Sequence, residues 1–141
     1  MVNESRQAVV TGAGGFIGHH LVSHLKRLGY WVRGVDMKQP EYDKTEADEF
    51  LHLDLRAWQN CLLATRNVEE VYALAADMGG MGFISSNHAR IRYNNAVINF
   101  QTLEASHRNS VKRYLYSSSA CVYPEFRQTS TDVTPLREED A

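Results

Sequence analysis

The chain has 141 residues, 43% of them apolar, and a formal net charge of −2, which suits one domain with a buried core and leaves no room for a second. Its 15 Lys and Arg are scattered rather than clustered, so nucleic acid is not expected as a partner. No apolar run approaches the ~20 residues of a membrane helix, and the first residues lack the apolar core and cleavage site of a secretory signal.

The first strand is expected at 7–11, a nearly continuous apolar run of the kind buried on both faces of a parallel sheet. It enters Gly12-Ala13-Gly14-Gly15-Phe16-Ile17-Gly18. The stretch 16–28 that follows predicts a helix, with Phe16, Ile17, Leu21, Leu25 and Leu28 as its apolar positions and Gly29 as its stop. Residues 31–36 form the second strand, and the polar, acidic 37–49 with Pro40 a surface loop. A third strand spans 50–54, and Asp54 is placed to cap a helix that starts near Leu55 and carries Trp58, Leu62 and Leu63. A fourth strand at 71–75 leads into a glycine- and methionine-rich loop, 76–87, where Ser86 or Asn87 caps a long helix running to about residue 109. The fifth strand covers 111–117, and the chain after 123 is loop-like. Strands alternating with helices require an α/β fold, a doubly wound parallel sheet of order 3-2-1-4-5 with right-handed crossovers. Ligands then bind at the carboxyl ends of the strands, where the glycine turn, Asp36, Asp54, Ala76 and Ser119 are expected to converge.

Gly12, Gly15 and Gly18 stand at G-x-x-G-x-x-G between a strand and a helix, and Asp36 closes the next strand. Gly12 allows the tight turn, Gly15 lets a pyrophosphate approach the backbone, and Gly18 lets the helix pack close to the sheet. The positive end of the helix then faces the phosphates. It is this context, more than the glycine pattern alone, that points to a dinucleotide. Asp36 would accept hydrogen bonds from an adenosine ribose and repel a 2′-phosphate, so NAD is expected over NADP.

Ser117-Ser118-Ser119-Ala120-Cys121 puts hydroxyls and a thiol at the rim where nicotinamide and substrate would meet. Unpaired cysteines often pack as small hydrophobes, which is the reading for Cys61; position at the rim argues for a chemical role at Cys121. Neither cysteine has metal-ligand spacing, and both are expected as reduced thiols of a cytoplasmic protein. His20 and His24 lie one turn apart without a third ligand and are expected as solvated helix histidines. His88 and Arg90, near the start of the long helix, could touch phosphate, with surface placement as the ordinary alternative. Asn94 and Asn95 are expected to bridge backbone groups across the sheet.

The glycine turn, Asp36, Asp54-Leu55, Ala75-Ala76, Asn95 and Ser-Ser-x-x-Val-Tyr at 118–123 resemble the extended short-chain dehydrogenase/reductases, the NAD-dependent epimerase/dehydratase family that modifies nucleotide sugars. The stretches 75–84 and 118–126 narrow the resemblance to the branch that epimerises GDP-mannose at C3 and C5. The resemblance implies that Gly12, Gly15, Phe16, Ile17 and Gly18 form the NAD pyrophosphate turn. It further implies that Asp36 holds the ribose, that Asp54 and Leu55 lie beside the adenine, and that Ala75 and Ala76 complete the cofactor site. Met78 and Gly79 would face a GDP-sugar substrate, with Ser119 holding the sugar 4-OH next to Ala120, and Cys121 as the acid/base on the ring. Oxidation at C4 makes the C3 and C5 protons acidic, and a thiol with pKa near ~8.5 can remove and return them. The same resemblance implies a homodimer, with the long helix as the candidate interface.

The family also uses a Tyr-x-x-x-Lys pair, in which the lysine lowers the tyrosine pKa. No tyrosine here has lysine four residues on; Tyr123 has Arg127 there. The chain is therefore expected to be the front part of a longer enzyme, an incomplete NAD-binding domain over 1–141 without a substrate domain and inactive alone. Such a sheet should expose an apolar edge and face. A nucleotide-sugar 4-epimerase or 4,6-dehydratase, or a non-catalytic NAD-binding module, are the alternatives.

Overall fold

The computed structural model describes residues 6–41, 43–119, 122–124, 126 and 135–140. Chain order is β1 (Gln7–Thr11), α1 (Phe16–Arg27), β2 (Trp31–Asp36), β3 (Glu49–His52), α2 (Trp58–Thr65), β4 (Glu70–Ala73), α3 (Met81–Ser86), α4 (His88–Arg108) and β5 (Arg113–Tyr116), with a 3-10 turn at Glu138–Asp140. The strands form one parallel sheet in the order β3-β2-β1-β4-β5. Val9 lies opposite Arg33 on one side and Val71 on the other, so β1 is central. The order reverses between β1 and β4, and this reversal opens a crevice at the carboxyl edge of the sheet.

Alternation along β1 sends Val9 to one face and Ala8 and Val10 to the other. Val9 joins Val35, Val71, Cys61, Ala64 and Ala105 under α2 and α4, while Ala8, Val10 and Val32 pack with Val22, Leu25 and Tyr30 under α1. Ala8, Val9, Val10, Val22, Val32 and Val35 are fully buried.

The helix after β1 meets the sheet by a face that only partly overlaps the one its apolar residues suggest, with Leu25 common to both. Phe16, Ile17 and Leu28 are 63%, 69% and 57% exposed, whereas Gly18, His19, Val22 and Leu25 are buried. Gly18 sets this register: it lies against the turn, and Val22 and Leu25, four and seven residues on, share its face. The C-terminus of α1 closes as a Schellman motif on Gly29 at φ +81°, with Tyr30 N–H donating to Leu25 and Gly29 N–H to Lys26. On α2, Cys61, Ala64 and Thr65 are buried and Leu63 is 43% exposed.

Several boundaries differ from the sequence reading. β3 stops at His52, short of Asp54, and α2 starts at Trp58 behind Ala57, which supplies no side-chain cap. Asp54 shapes the preceding turn instead: its Oδ1 accepts Arg56 N–H at 2.9 Å and its carbonyl accepts Ala57 N–H at 3.2 Å. β4 ends at Ala73 because the next two N–H groups, of Leu74 and Ala75, donate to the Thr11 hydroxyl at 3.1 and 3.2 Å rather than to a neighbouring strand. The short helix α3 occupies part of the expected loop. Asn87 stands at the start of α4, but its side chain donates back to the Phe83 carbonyl and does not cap the helix.

Candidate functional site

The glycine turn is built almost wholly from backbone. Gly12 and Ala13 N–H both donate to the Val35 carbonyl, at 2.8 and 3.2 Å, which ties the turn to β2. Gly12 has φ +74°, and a Cβ there would lie 2.9 Å from the Leu74 carbonyl group. A Cβ on Gly18 would collide with the Gly12 carbonyl and come within 2.9 Å of Ala13 Cα, so the close approach is to the turn and not to the sheet. The first turn of α1 has no acidic residue and Gly15 provides no side-chain cap, an arrangement suited to an anion.

Gly14 is the residue that spacing did not single out. Its N–H donates to Asp36 Oδ2 at 2.9 Å, and a Cβ would collide with the Lys38 carbonyl and approach Asp36 Cγ at 2.9 Å. In G-x-x-G-x-x-G it is an x, and only the fold brings the end of β2 against it. Asp36 Oδ1 accepts Lys38 N–H at 3.1 Å, so each carboxylate oxygen has one backbone donor and keeps acceptor capacity for ribose hydroxyls.

A cleft of about 390 Å³ brings together Gly12, Gly15, Asp36, Asp54, Leu55, Ala75 and Ala76 at the strand ends. Asp54 is gripped by Arg56, with Nε at 3.0 and 3.1 Å from its two oxygens and Nη2 at 2.7 Å. These hydrogen bonds hold its carboxyl below the ordinary aspartate value. Leu55 is buried in the core and shows one edge to the cleft.

Asp77 also lines the cleft and was not anticipated. Its N–H donates to Asn95 Oδ1 at 2.6 Å, its carbonyl accepts Asn95 Nδ2 at 3.2 Å, and its carboxylate accepts Asn94 Nδ2 at 2.6 Å. Asn94 and Asn95 therefore do not bridge across the sheet. They fasten α4 to the segment after β4, because that segment has left the ladder and its backbone groups need partners.

The remaining expected residues lie elsewhere. Phe16 and Ile17 are exposed on α1, Gly18 is buried beneath the turn, and Met78 is 65% exposed. Gly79 lies beside the Phe83 ring, and Ser119 is exposed past β5. None of these six lines the cleft. Ala120 and Cys121 fall outside the described residues. Cys61 is buried, donates to the Leu55 carbonyl at 3.0 Å, and has its thiol pKa pushed up by burial. His20 and His24 are exposed. Among the described residues no three His, Cys, Asp or Glu side chains are grouped to hold a metal, and no helix is long and apolar enough to cross a membrane.

The residues present fit a dinucleotide: a backbone cradle that side chains would fill, a helix start without an acid, and a carboxylate with acceptor capacity at the end of β2. Comparison with known proteins agrees. The GDP-mannose 3,5-epimerase of Arabidopsis thaliana is 48% identical over 141 residues, which cover 99% of this chain. The chain spans 37% of that curated relative's length. Among solved structures, a UDP-glucose 4-epimerase superposes with a TM-score of 0.78 at 28% identity, covering 96% of this chain and 41% of the other. A short-chain dehydrogenase/reductase superfamily protein of Agrobacterium tumefaciens with bound NAD superposes with a TM-score of 0.74 at 26% identity, covering 96% and 38%. The family model described as NAD dependent epimerase/dehydratase matches residues 8–141, and this chain belongs to that family.

Proposed function

We propose that the protein carrying this chain is a nucleotide-sugar epimerase that binds NAD in the cleft and interconverts GDP-mannose and its C3 and C5 epimers, GDP-L-galactose and GDP-L-gulose. The cleft that gathers Gly12, Gly15, Asp36, Asp54, Ala75 and Ala76 carries the cofactor part of this reading. The similarity to the Arabidopsis enzyme supports the substrate part. Because the chain spans 37% of that enzyme's length, the reaction is proposed for the whole protein. These 141 residues contain no Tyr-x-x-x-Lys, and as an incomplete NAD-binding domain they would be inactive alone.

Bound NAD would supply reversible oxidation at sugar C4. The chain's own residues would divide the rest. The first turn of α1 would hold the pyrophosphate with its N–H groups, and Asp36 the adenosine ribose. Ser119 would hydrogen-bond the sugar 4-OH, and Met78, Gly79 and Ala120 would lie against the sugar nucleotide. Cys121 would remove the proton beside the C4 carbonyl as thiolate and return one as thiol. The outer surface of α4, where Tyr93, Phe100 and Leu103 are 69%, 72% and 51% exposed, is the proposed pairing surface of a homodimer.

The test is turnover of GDP-mannose by the full-length protein in deuterium oxide, followed by NMR. Deuterium at C3 and C5 is expected. Epimerisation at C4 without carbon-bound exchange, or loss of water, would replace the reading with a 4-epimerase or a 4,6-dehydratase.

A further inference from the structure

Three cations line the cleft: Lys38, Arg56 and Arg90. Two of them are committed to carboxylates. Lys38 Nζ lies 2.5 Å from Glu41, and Arg56 grips Asp54. The cleft's acids have partners of their own: Asp36 accepts from two backbone N–H groups and keeps acceptor capacity, Asp54 pairs with Arg56, and Asp77 accepts from Asn94. Arg90, on the first turn of α4, is exposed and has no hydrogen bond or ion pair among the described residues. A guanidinium on a cleft wall whose neighbouring carboxylates already have partners is placed for an anion from solution.

We propose that Arg90 is a phosphate-binding residue that reaches the pyrophosphate of the dinucleotide from the side opposite the glycine turn. The inference rests on the proposed binding of NAD in this cleft. Two observations favour the cofactor's diphosphate over that of the sugar nucleotide. Arg90 lines the same cleft as Gly12 and Gly15, which stand at the anion-binding start of α1, whereas Met78 and Gly79, the proposed sugar-nucleotide loop, do not line it. The pyrophosphate would then lie between two positive elements, backbone N–H groups of one helix start and a guanidinium from another. The Asn94–Asp77–Asn95 clamp holds the first turns of α4 against the cleft wall, so Arg90 is carried on a fastened element.

The experiment is calorimetric titration of the full-length protein, as wild type, Arg90→Gln and Arg90→Lys, with NAD, ADP-ribose, adenosine and GDP-mannose. The expected result is a loss of about 10- to 100-fold for NAD and ADP-ribose in Arg90→Gln, the size of a lost charge-assisted hydrogen bond. Adenosine binding should be unchanged, and Arg90→Lys should recover part of the loss because it keeps the charge without the fork. Unchanged NAD affinity, an equal loss for adenosine, or a loss confined to GDP-mannose would each overturn the assignment while leaving NAD binding intact. Wild-type protein that binds neither NAD nor ADP-ribose would overturn the NAD reading, and the role of Arg90 with it.

Discussion

The two ends of the sheet treat polar groups in opposite ways. At the amino end, Glu70 is 4% exposed and surrounded: Tyr72 hydroxyl donates to it at 2.9 Å, Tyr30 hydroxyl at 3.4 Å, and Arg113 and Arg6 lie at 3.5 and 4.0 Å. Arg6 also stacks over the Tyr30 ring at 4.4 Å, and Lys112 pairs with Glu69 next door. Burial, helped by the bond to Glu70, pushes the Tyr72 hydroxyl pKa up to about 12, so it stays a donor. Here the polar groups satisfy one another and join the first residues of β4 and β5 to the chain before β1. At the carboxyl end, Asp36 retains acceptor capacity, the start of α1 lacks an acid, and Arg90 has no carboxylate partner among the described residues. Saturated groups hold a fold together; groups with capacity left over can hold a ligand. The amino end is thus read as stability and the carboxyl end as binding.

The largest expected effect comes from filling the turn. Gly18→Val would drive a side chain into the Gly12 carbonyl, with Gly12 C and Ala13 Cα already at 2.7 and 2.9 Å from a Cβ. NAD binding should fall beyond calorimetric detection, and stability should fall by about 3 kcal/mol in denaturant unfolding. Glu70→Gln should do the reverse. It leaves the half-buried Tyr72 hydroxyl, the buried Tyr30 hydroxyl and the exposed Arg113 without a charged acceptor and should cost about 2 kcal/mol, since both Arg6 and Arg113 are well exposed, while NAD affinity stays within about twofold. A parallel loss of NAD affinity in this variant would break the division between the two ends.

The smallest effect is electrostatic. The Asp54 carboxyl is held below its ordinary value chiefly by hydrogen bonds from Arg56. A depressed folded-state pKa contributes stability that is present above the unfolded value, near ~3.9, and is lost as pH falls through the folded one. The pair is about two-fifths exposed, so its contribution should stay under ~1 kcal/mol. In Arg56→Gln the Asp54 midpoint, followed by carbon NMR, should rise toward ~3.9. An unmoved midpoint would mean that Arg56 does not set it.

Part of this was legible in the chain before any coordinates. The alternation of apolar runs with amphipathic stretches dictates a parallel sheet, and the order 3-2-1-4-5 is the one observed, because crossover handedness and helix cover leave few alternatives. β1 and β2 fall at 7–11 and 31–36 as expected, bounded by glycines and by Asp36. These are short-range signals, and a turn of consecutive backbone atoms depends on little else.

What depended on side-chain geometry or on distant partners was not legible. Of the apolar residues expected on the helix after β1, Leu25 is buried and Leu21 half-buried, but Phe16, Ile17 and Leu28 are exposed, because the close approach of Gly18 to Gly12 sets the buried face and brings Val22 into it. Asp54 was in capping position by sequence, yet Arg56, two residues on, captured its carboxylate. Gly14 meets Asp36 across 22 residues, Asp77 meets Asn94 and Asn95 across 17 and 18, and no local pattern encodes either pairing. The sequence by itself determined the strands, the glycine turn and the fold class, since these follow from periodicity and backbone sterics between neighbours. Which groups meet at the cleft from different elements, Gly14 with Asp36 and Asn94 with Asp77, was decided only by the tertiary structure, because a hydrogen bond forms between groups that folding brings within a few ångströms, whatever their separation along the chain.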